Sequence, residues 1–201
     1  MLNPYAMQGW QNPAGSSSSS SSSSTRPSIF GALPFPSPDT LLPTFFAFRF
    51  TSFSPSILNC TVLGPGAPAR PYFRILTDAP LPGVSVFQNA QGQNVALVQW
   101  KRHPEAEIRG VTPRQRTAEL VALAPDRSSR SMMLNDSGIT FMPRDNFIWL
   151  HSTATQPELL GRITRGQTSV TLELTGEAIH LGLLEAAVVA TFLLQCGRNI
   201  D

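Results

Sequence analysis

Residues 179–195 read Ile-His-Leu-Gly-Leu-Leu-Glu-Ala-Ala-Val-Val-Ala-Thr-Phe-Leu-Leu-Gln, and this run constrains the fold more than any other part of the chain. Wound as a helix, it interleaves His180, Glu185, Thr191 and Gln195 with Leu184, Val188 and Phe192, so no broad polar face forms. Such a helix must be covered on most sides, by a membrane or by the rest of the protein. A spanning helix needs about 20 mainly apolar residues, and a carboxylate near its centre costs roughly 2.5–3.5 kcal/mol. Here the unbroken apolar stretch is only Ala186–Ala190, resuming after Thr191 to Leu194, with Glu185 near the middle of the wider segment. Length and charge favour a buried core helix over about 179–196, with Leu183, Leu184, Val188 and Phe192 in the core. A tail anchor made of residues 179–195 is the alternative. Gly197 suits a helix C-cap, and Arg198 stands at the favourable end of the dipole.

The material available to cover that helix is β-like. Phe46, Phe48 and Phe50 alternate with Ala47, Arg49 and Thr51, the period-2 signature of a strand with one buried face. Tyr72–Leu76, Val84–Gln88 and Val95–Lys101 follow, the last two joined by Asn89-Ala90-Gln91-Gly92-Gln93, a hairpin loop in length and composition. Met132–Leu134 and Ile139–Met142 flank Asn135-Asp136-Ser137-Gly138, a turn in which Gly138 is expected to take a positive φ. Phe147–Leu150 is a further short apolar run, and Val170, Leu172 and Leu174 alternate with Ser169, Thr171 and Glu173. Ala118–Leu123 reads equally as a helical turn or a strand. Spacings of roughly 8–14 residues between turn signals argue for an antiparallel barrel or sandwich.

Residues 1–42 have another character. Eleven of the 18 prolines and the run of nine serines, Ser16–Ser24, lie before residue 72. Pro27, Pro34, Pro36, Pro38 and Pro43 exclude regular helix or a central strand. Too little apolar surface is present to offset chain entropy, so a disordered Ser/Pro-rich tail is expected over 1–42, with a folded domain over 43–201. The serine run reads as a spacer rather than a modification tract. Met1–Trp10 lacks the basic start and apolar run of a signal peptide, which makes the expected location intracellular, cytoplasmic or peripheral to a membrane, and not secreted. Cys60 and Cys196 are then free thiols, and Asn59-Cys60-Thr61 and Asn135-Asp136-Ser137 are chance glycosylation sequons.

A run of short strands ending in one apolar helix resembles the tubby-like layout shared by tubby C-terminal domains, plant LURP-one-related proteins and phospholipid scramblases. More closely, the chain is similar to an uncharacterised fungal, mainly basidiomycete, domain family with that layout. The residues carrying the likeness are the hairpin into Val95-Ala96-Leu97-Val98-Gln99-Trp100-Lys101, the strand Phe147-Ile148-Trp149, and Leu183–Leu194, and it covers roughly residues 45–200. The resemblance implies a mainly β fold: a closed antiparallel barrel of short strands enclosing the hydrophobic C-terminal helix. Ala186, Ala187 and Ala190 would let that helix fit a narrow lumen, and Glu185 would need a hydrogen-bond partner or a place near the barrel mouth. The fungal family brings no activity with it.

The chemistry-bearing residues point the same way. There is no phosphate-binding glycine loop before a helix and no Gly-x-Ser-x-Gly elbow. His103, His151 and His180 are widely spaced, with no His-x-x-x-His or Cys-x-x-Cys pair, so no catalytic residue, metal or cofactor is assigned. Asp136 and Asp145 sit in turn-like sequence, where aspartate bonds to backbone. The cations are 14 arginines and Lys101, and the net charge is +2, which excludes nucleic acid as the partner. Lys101, Arg102, Arg109, Arg114 and Arg116, with His103, fall in a stretch read as loop-rich and form the candidate site for a phosphate or lipid headgroup. Some tubby-like domains bind phosphoinositides, which adds weight to that site, whereas Glu105, Glu107 and Glu119 dilute it. The reading is a non-enzymatic binding or scaffolding domain whose partner is a membrane surface or another protein. An enzyme whose site assembles from scattered groups, such as His103 or His151 with a carboxylate, is the remaining alternative.

Overall fold

The computed structural model describes residues 44–53, 56–79, 81–134 and 137–201. The expected tail over 1–42 and the centre of the expected turn, Asn135-Asp136, lie outside the described residues. The first half holds seven strands: β1 (Phe45–Thr51), β2 (Cys60–Leu63), β3 (Pro71–Thr77), β4 (Val84–Asn89), β5 (Asn94–Gln99), β6 (Glu105–Ile108) and β7 (Thr112–Arg116). A short helix, α1 (Thr117–Leu120), leads into β8 (Ala122–Leu123), β9 (Arg130–Leu134), β10 (Ser137–Arg144), β11 (Phe147–Ser152), β12 (Leu159–Arg165) and β13 (Val170–Thr175). The chain then forms α2 (Gly176–His180) and α3 (Leu184–Gln195).

All the strands belong to one antiparallel sheet, in the order β7-β6-β5-β4-β3-β2-β1-β13-β12-β11-β10-β9-β8. Each half is a meander, and the halves are joined where Phe46 pairs with Leu174, Phe48 with Leu172 and Phe50 with Val170. Two of the alternating sequences therefore lie side by side with their apolar faces turned the same way. Phe48, Phe50, Val170, Leu172 and Leu174 are all buried.

The expected helix over 179–196 is two helices. Gly182 takes φ +70°, a left-handed conformation that ends α2 and lets the chain turn before α3. Leu181 is left exposed by this break, while Leu183, just before α3, is buried. Within α3 every residue from Ala186 to Leu193 is buried, so Val188 and Phe192 are core residues as expected; Leu184 packs at the edge of the core. Ala186, Ala187 and Ala190 are fully buried, and their small side chains let strand backbones approach the helix closely. Phe192 meets Phe87 edge-on at 4.9 Å and lies 6.1 Å from Trp100. One hydrophobic core joins α3 to strands from both halves of the sheet. Burying a side chain such as Val188 or Leu193 contributes about 1.5–3 kcal/mol, so this one helix anchors much of the domain.

The two edge strands, β7 and β8, are not hydrogen-bonded to each other. They are consecutive in the chain, β8 has only two residues, and Pro113 of β7 carries no N–H. The sheet is thus not closed by hydrogen bonds; α1 packs against β6, β7, β8 and β9 at this seam. Ala118–Leu123, ambiguous in sequence, is both of its readings in turn: a helical turn to Leu120, then a short strand. The last residues are laced to the same place. Thr117 Oγ1, fully buried, donates to Ile200 O at 2.6 Å, and Arg130 Nη1 and Nη2 donate to the two carboxylate oxygens of Asp201 at 2.8 and 2.7 Å.

A chain of polar groups sits beyond the C-terminal end of α3. Thr77 Oγ1 donates to Leu58 O at 2.5 Å and lies 2.6 Å from Ser85 Oγ, to which Trp100 Nε1 donates at 2.7 Å. The Thr77 proton is used on a carbonyl, so Ser85 must donate to Thr77. The proton order Trp100 to Ser85 to Thr77 to Leu58 leaves each hydroxyl both donating and accepting. Arg198 stacks over Trp100 at 4.8 Å, covering this end.

Candidate binding surface

The candidate cations do not converge. Lys101 and Arg102 stand in the turn after β5, Arg109 in the turn after β6, and Arg114 and Arg116 on β7, which is a strand rather than the expected loop. The pattern that marks β6 is Glu105-Ala106-Glu107-Ile108, with Ala106 and Ile108 buried and the glutamates outward. Four strand residues at about 3.3 Å each separate Arg109 from Lys101 and Arg102, roughly 13 Å along the sheet. The glutamates lie between the cations. Glu105 faces Arg116 across the ladder and accepts from Lys101 Nζ at 3.2 Å; Glu107 accepts from Arg114 at 3.3 Å. Arg102, Arg109 and Arg116 make no ion pair among the described residues. The hairpin is therefore a charge-alternating face with two partly separate groups of cations at its two ends.

A second outward cluster lies on β11, β12, β13 and β1. Trp149 pairs with Arg162 and Arg162 with Glu173, placing the three in a row across adjacent strands. The Arg162 guanidinium stands 5.2, 5.0 and 5.8 Å from the rings of Phe45, Phe147 and Trp149, and its Nε donates to Glu173 at 2.5 Å. Stacking of this kind contributes about 0.5–2 kcal/mol per ring, depending on desolvation. Met142, opposite Trp149 on β10, is 47% exposed and extends the apolar strip into solvent. Sequence reading passed over this cluster. Phe147–Leu150 is apolar at every position, so its outward residues, Phe147 and Trp149, look like its inward ones. Arg162 lies in β12, whose Leu-Leu-Gly start hides the alternation. The available signal was the Arg162-Ile163-Thr164 alternation that follows.

The remaining reactive groups stand apart. His103 is exposed in the β5–β6 turn, His151 lies on β11 and His180 ends α2. No cluster of three or more His, Cys, Asp or Glu suited to a metal ion occurs among the described residues. Burial pushes the Cys60 thiol up to about 12, and burial also raises Cys196. Both are free thiols. The Asp201 carboxyl is lowered mainly by the hydrogen bonds from Arg130. That of Asp126 is lowered by the backbone N–H and hydroxyl of Ser128. Gly138, expected in a turn with positive φ, lies instead in β10, with Thr153 Oγ1 and Met133 Sδ crowding the place of a β-carbon.

No protein-family model and no curated protein matches the chain in sequence. Among solved structures, an Arabidopsis thaliana protein known by X-ray is similar at 9% identity, over 77% of this chain and 96% of that one, with a TM-score of 0.37. A likeness at that level carries no argument about fold or function.

Proposed function

We propose that the chain is a non-enzymatic binding or scaffolding domain of tubby-like layout, whose sheet rolls around α3 and whose working surfaces lie on the outside of the sheet. The observation that carries this reading is the complete burial of α3 from Ala186 to Leu193: the side chains that would line an internal site instead pack on a helix. Rolling is supported by the adjacency of β7 and β8 in the chain, with α1 at their seam and Ile200 and Asp201 bonded to Thr117 and Arg130 beside it. The outward Met142–Trp149–Arg162 strip is the surface best suited to another protein, because aromatic residues, methionine and arginine are enriched at protein interfaces. The experiment is quantitative affinity capture with the full chain. Partners should be retained by a His103→Ala/His151→Ala double variant and lost on Met142→Glu; retention by Met142→Glu overturns the reading.

A second reading is peripheral attachment to a phosphoinositide surface through Lys101, Arg102, Arg109, Arg114 and Arg116. It is favoured by the lack of carboxylate partners at Arg102 and Arg109 among the described residues and opposed by Glu105 and Glu107. Flotation with phosphoinositide-containing vesicles at low salt, lost on Arg102→Gln/Arg109→Gln, supports it; absence of flotation removes it. No helix among the described residues is long and apolar enough to cross a membrane. Carbonate extraction, with the protein expected in the supernatant, tests the tail-anchor alternative.

A further inference from the structure

The β8–β9 hairpin leans over the last turn of α3 and leaves a cleft of about 150 Å³ there. Its walls are apolar: Leu123 from β8, Phe141 and Pro143 from β10, Ile148 from β11 and Leu194 from α3. Phe141 is almost fully buried, so the cleft reaches from the surface down to the core. A space of this size accommodates a benzene-sized body. The polar groups of the cleft all come from the hairpin: Arg127, Ser128, Ser129 and Arg130.

Those polar groups differ in how they are used. Arg130 is held by Asp201 and by Val121 O, and Ser128 is held by Asp126. Arg127 makes no ion pair among the described residues. Its backbone takes φ +60°, a conformation costly for a long side chain, and its N–H is fixed on Ala124 O at 2.9 Å. The fold thus fixes the backbone of an exposed arginine, with no acidic partner among the described residues, at the rim of an apolar cleft.

We propose that this cleft binds a small apolar monocarboxylate, its ring or branched alkyl body between Phe141, Ile148 and Leu194 and its carboxylate on Arg127. The orientation follows from the electrostatics. The C-terminal end of the α3 dipole disfavours negative charge near Leu194, so the apolar end points inward and the acid outward to Arg127. The site is independent of the outward strip on β10–β12 and does not rest on the scaffolding reading.

Benzoate is the probe, followed by the methyl resonances of Leu123, Ile148 and Leu194 in the full chain. A ligand this small should bind with a dissociation constant on the order of 1 mM. Benzyl alcohol and benzylamine should bind at least about tenfold more weakly, and Arg127→Gln should weaken benzoate by a similar factor while leaving the spectrum of the free protein unchanged elsewhere. Leu123→Trp, which fills the cleft from its exposed edge, should abolish the methyl shifts. Equal binding of benzyl alcohol, unchanged benzoate binding in Arg127→Gln, or no saturable shift in the wild type overturns the proposal.

Discussion

The α3 helix packs on the sheet and the β6–β7 hairpin forms one edge of it, and the two are held in opposite ways. The helix is fixed by shape: buried alanines set its distance from the strands, and Phe192 locks against Phe87 and Trp100. The outer face of the hairpin is fixed by nothing comparable; its Lys101–Glu105 and Arg114–Glu107 pairs are solvent-screened and contribute about 0–1 kcal/mol each. The difference teaches where mutation should matter and where it should not.

Phe192→Ala should be the harshest test, because it removes the ring shared by Phe87 and Trp100 and leaves a cavity beside the helix. A loss of about 3–5 kcal/mol is expected, read as a lower urea midpoint with unchanged slope. A loss below about 1 kcal/mol would mean that α3 is not the anchor described. Gly182→Ala comes next. The site is open in space, so the cost is the left-handed φ alone, about 1 kcal/mol or slightly more, and thermal melting measures it.

Asp201, bonded to Arg130 of β9, brings in pH. Its folded-state carboxyl is lowered by Arg130, so the pair stabilises the domain above the unfolded carboxyl range near about 3.9 and stops doing so as pH falls through the lower folded value. The Asp201 side chain is half exposed, which holds the effect to about 0.2–1 kcal/mol. Asp201→Asn should show that loss at pH 7, and the loss should shrink as pH falls through the lowered carboxyl range, by urea titration across a pH series. Glu107→Gln should be the mildest change, within about 0.5 kcal/mol in stability. A larger effect would show that the hairpin pairs are more than surface charges.

The same contrast explains what could be read in the sequence. Where burial on one face is strict, as in Phe48–Phe50 and Val170–Leu174, alternation revealed the strands, and the absence of a polar face in residues 179–195 pointed to a covered helix. Cys60–Leu63, Glu105–Ile108, Thr112–Arg116 and Leu159–Arg165 escaped notice because each is short or breaks its alternation with alanine, proline or glycine. The break at Gly182 was hidden because one glycine in an apolar run reads as helix until the chain is seen to turn. The candidate cations are close in sequence, but their spread over two ends of a hairpin depends on β6 and β7 pairing, which adjacent residues alone do not disclose.

The strand order has a consequence for how the protein is made. During synthesis β1–β7 emerge before β13 and α3 exist, so the first meander has neither its partner strand nor its core. Until about 120 residues have followed β1, its edge is an open template for pairing with other chains. Ribosome-bound chains stopped before β13 should therefore depend on chaperones, and release from that dependence should come only once α3 has left the exit tunnel.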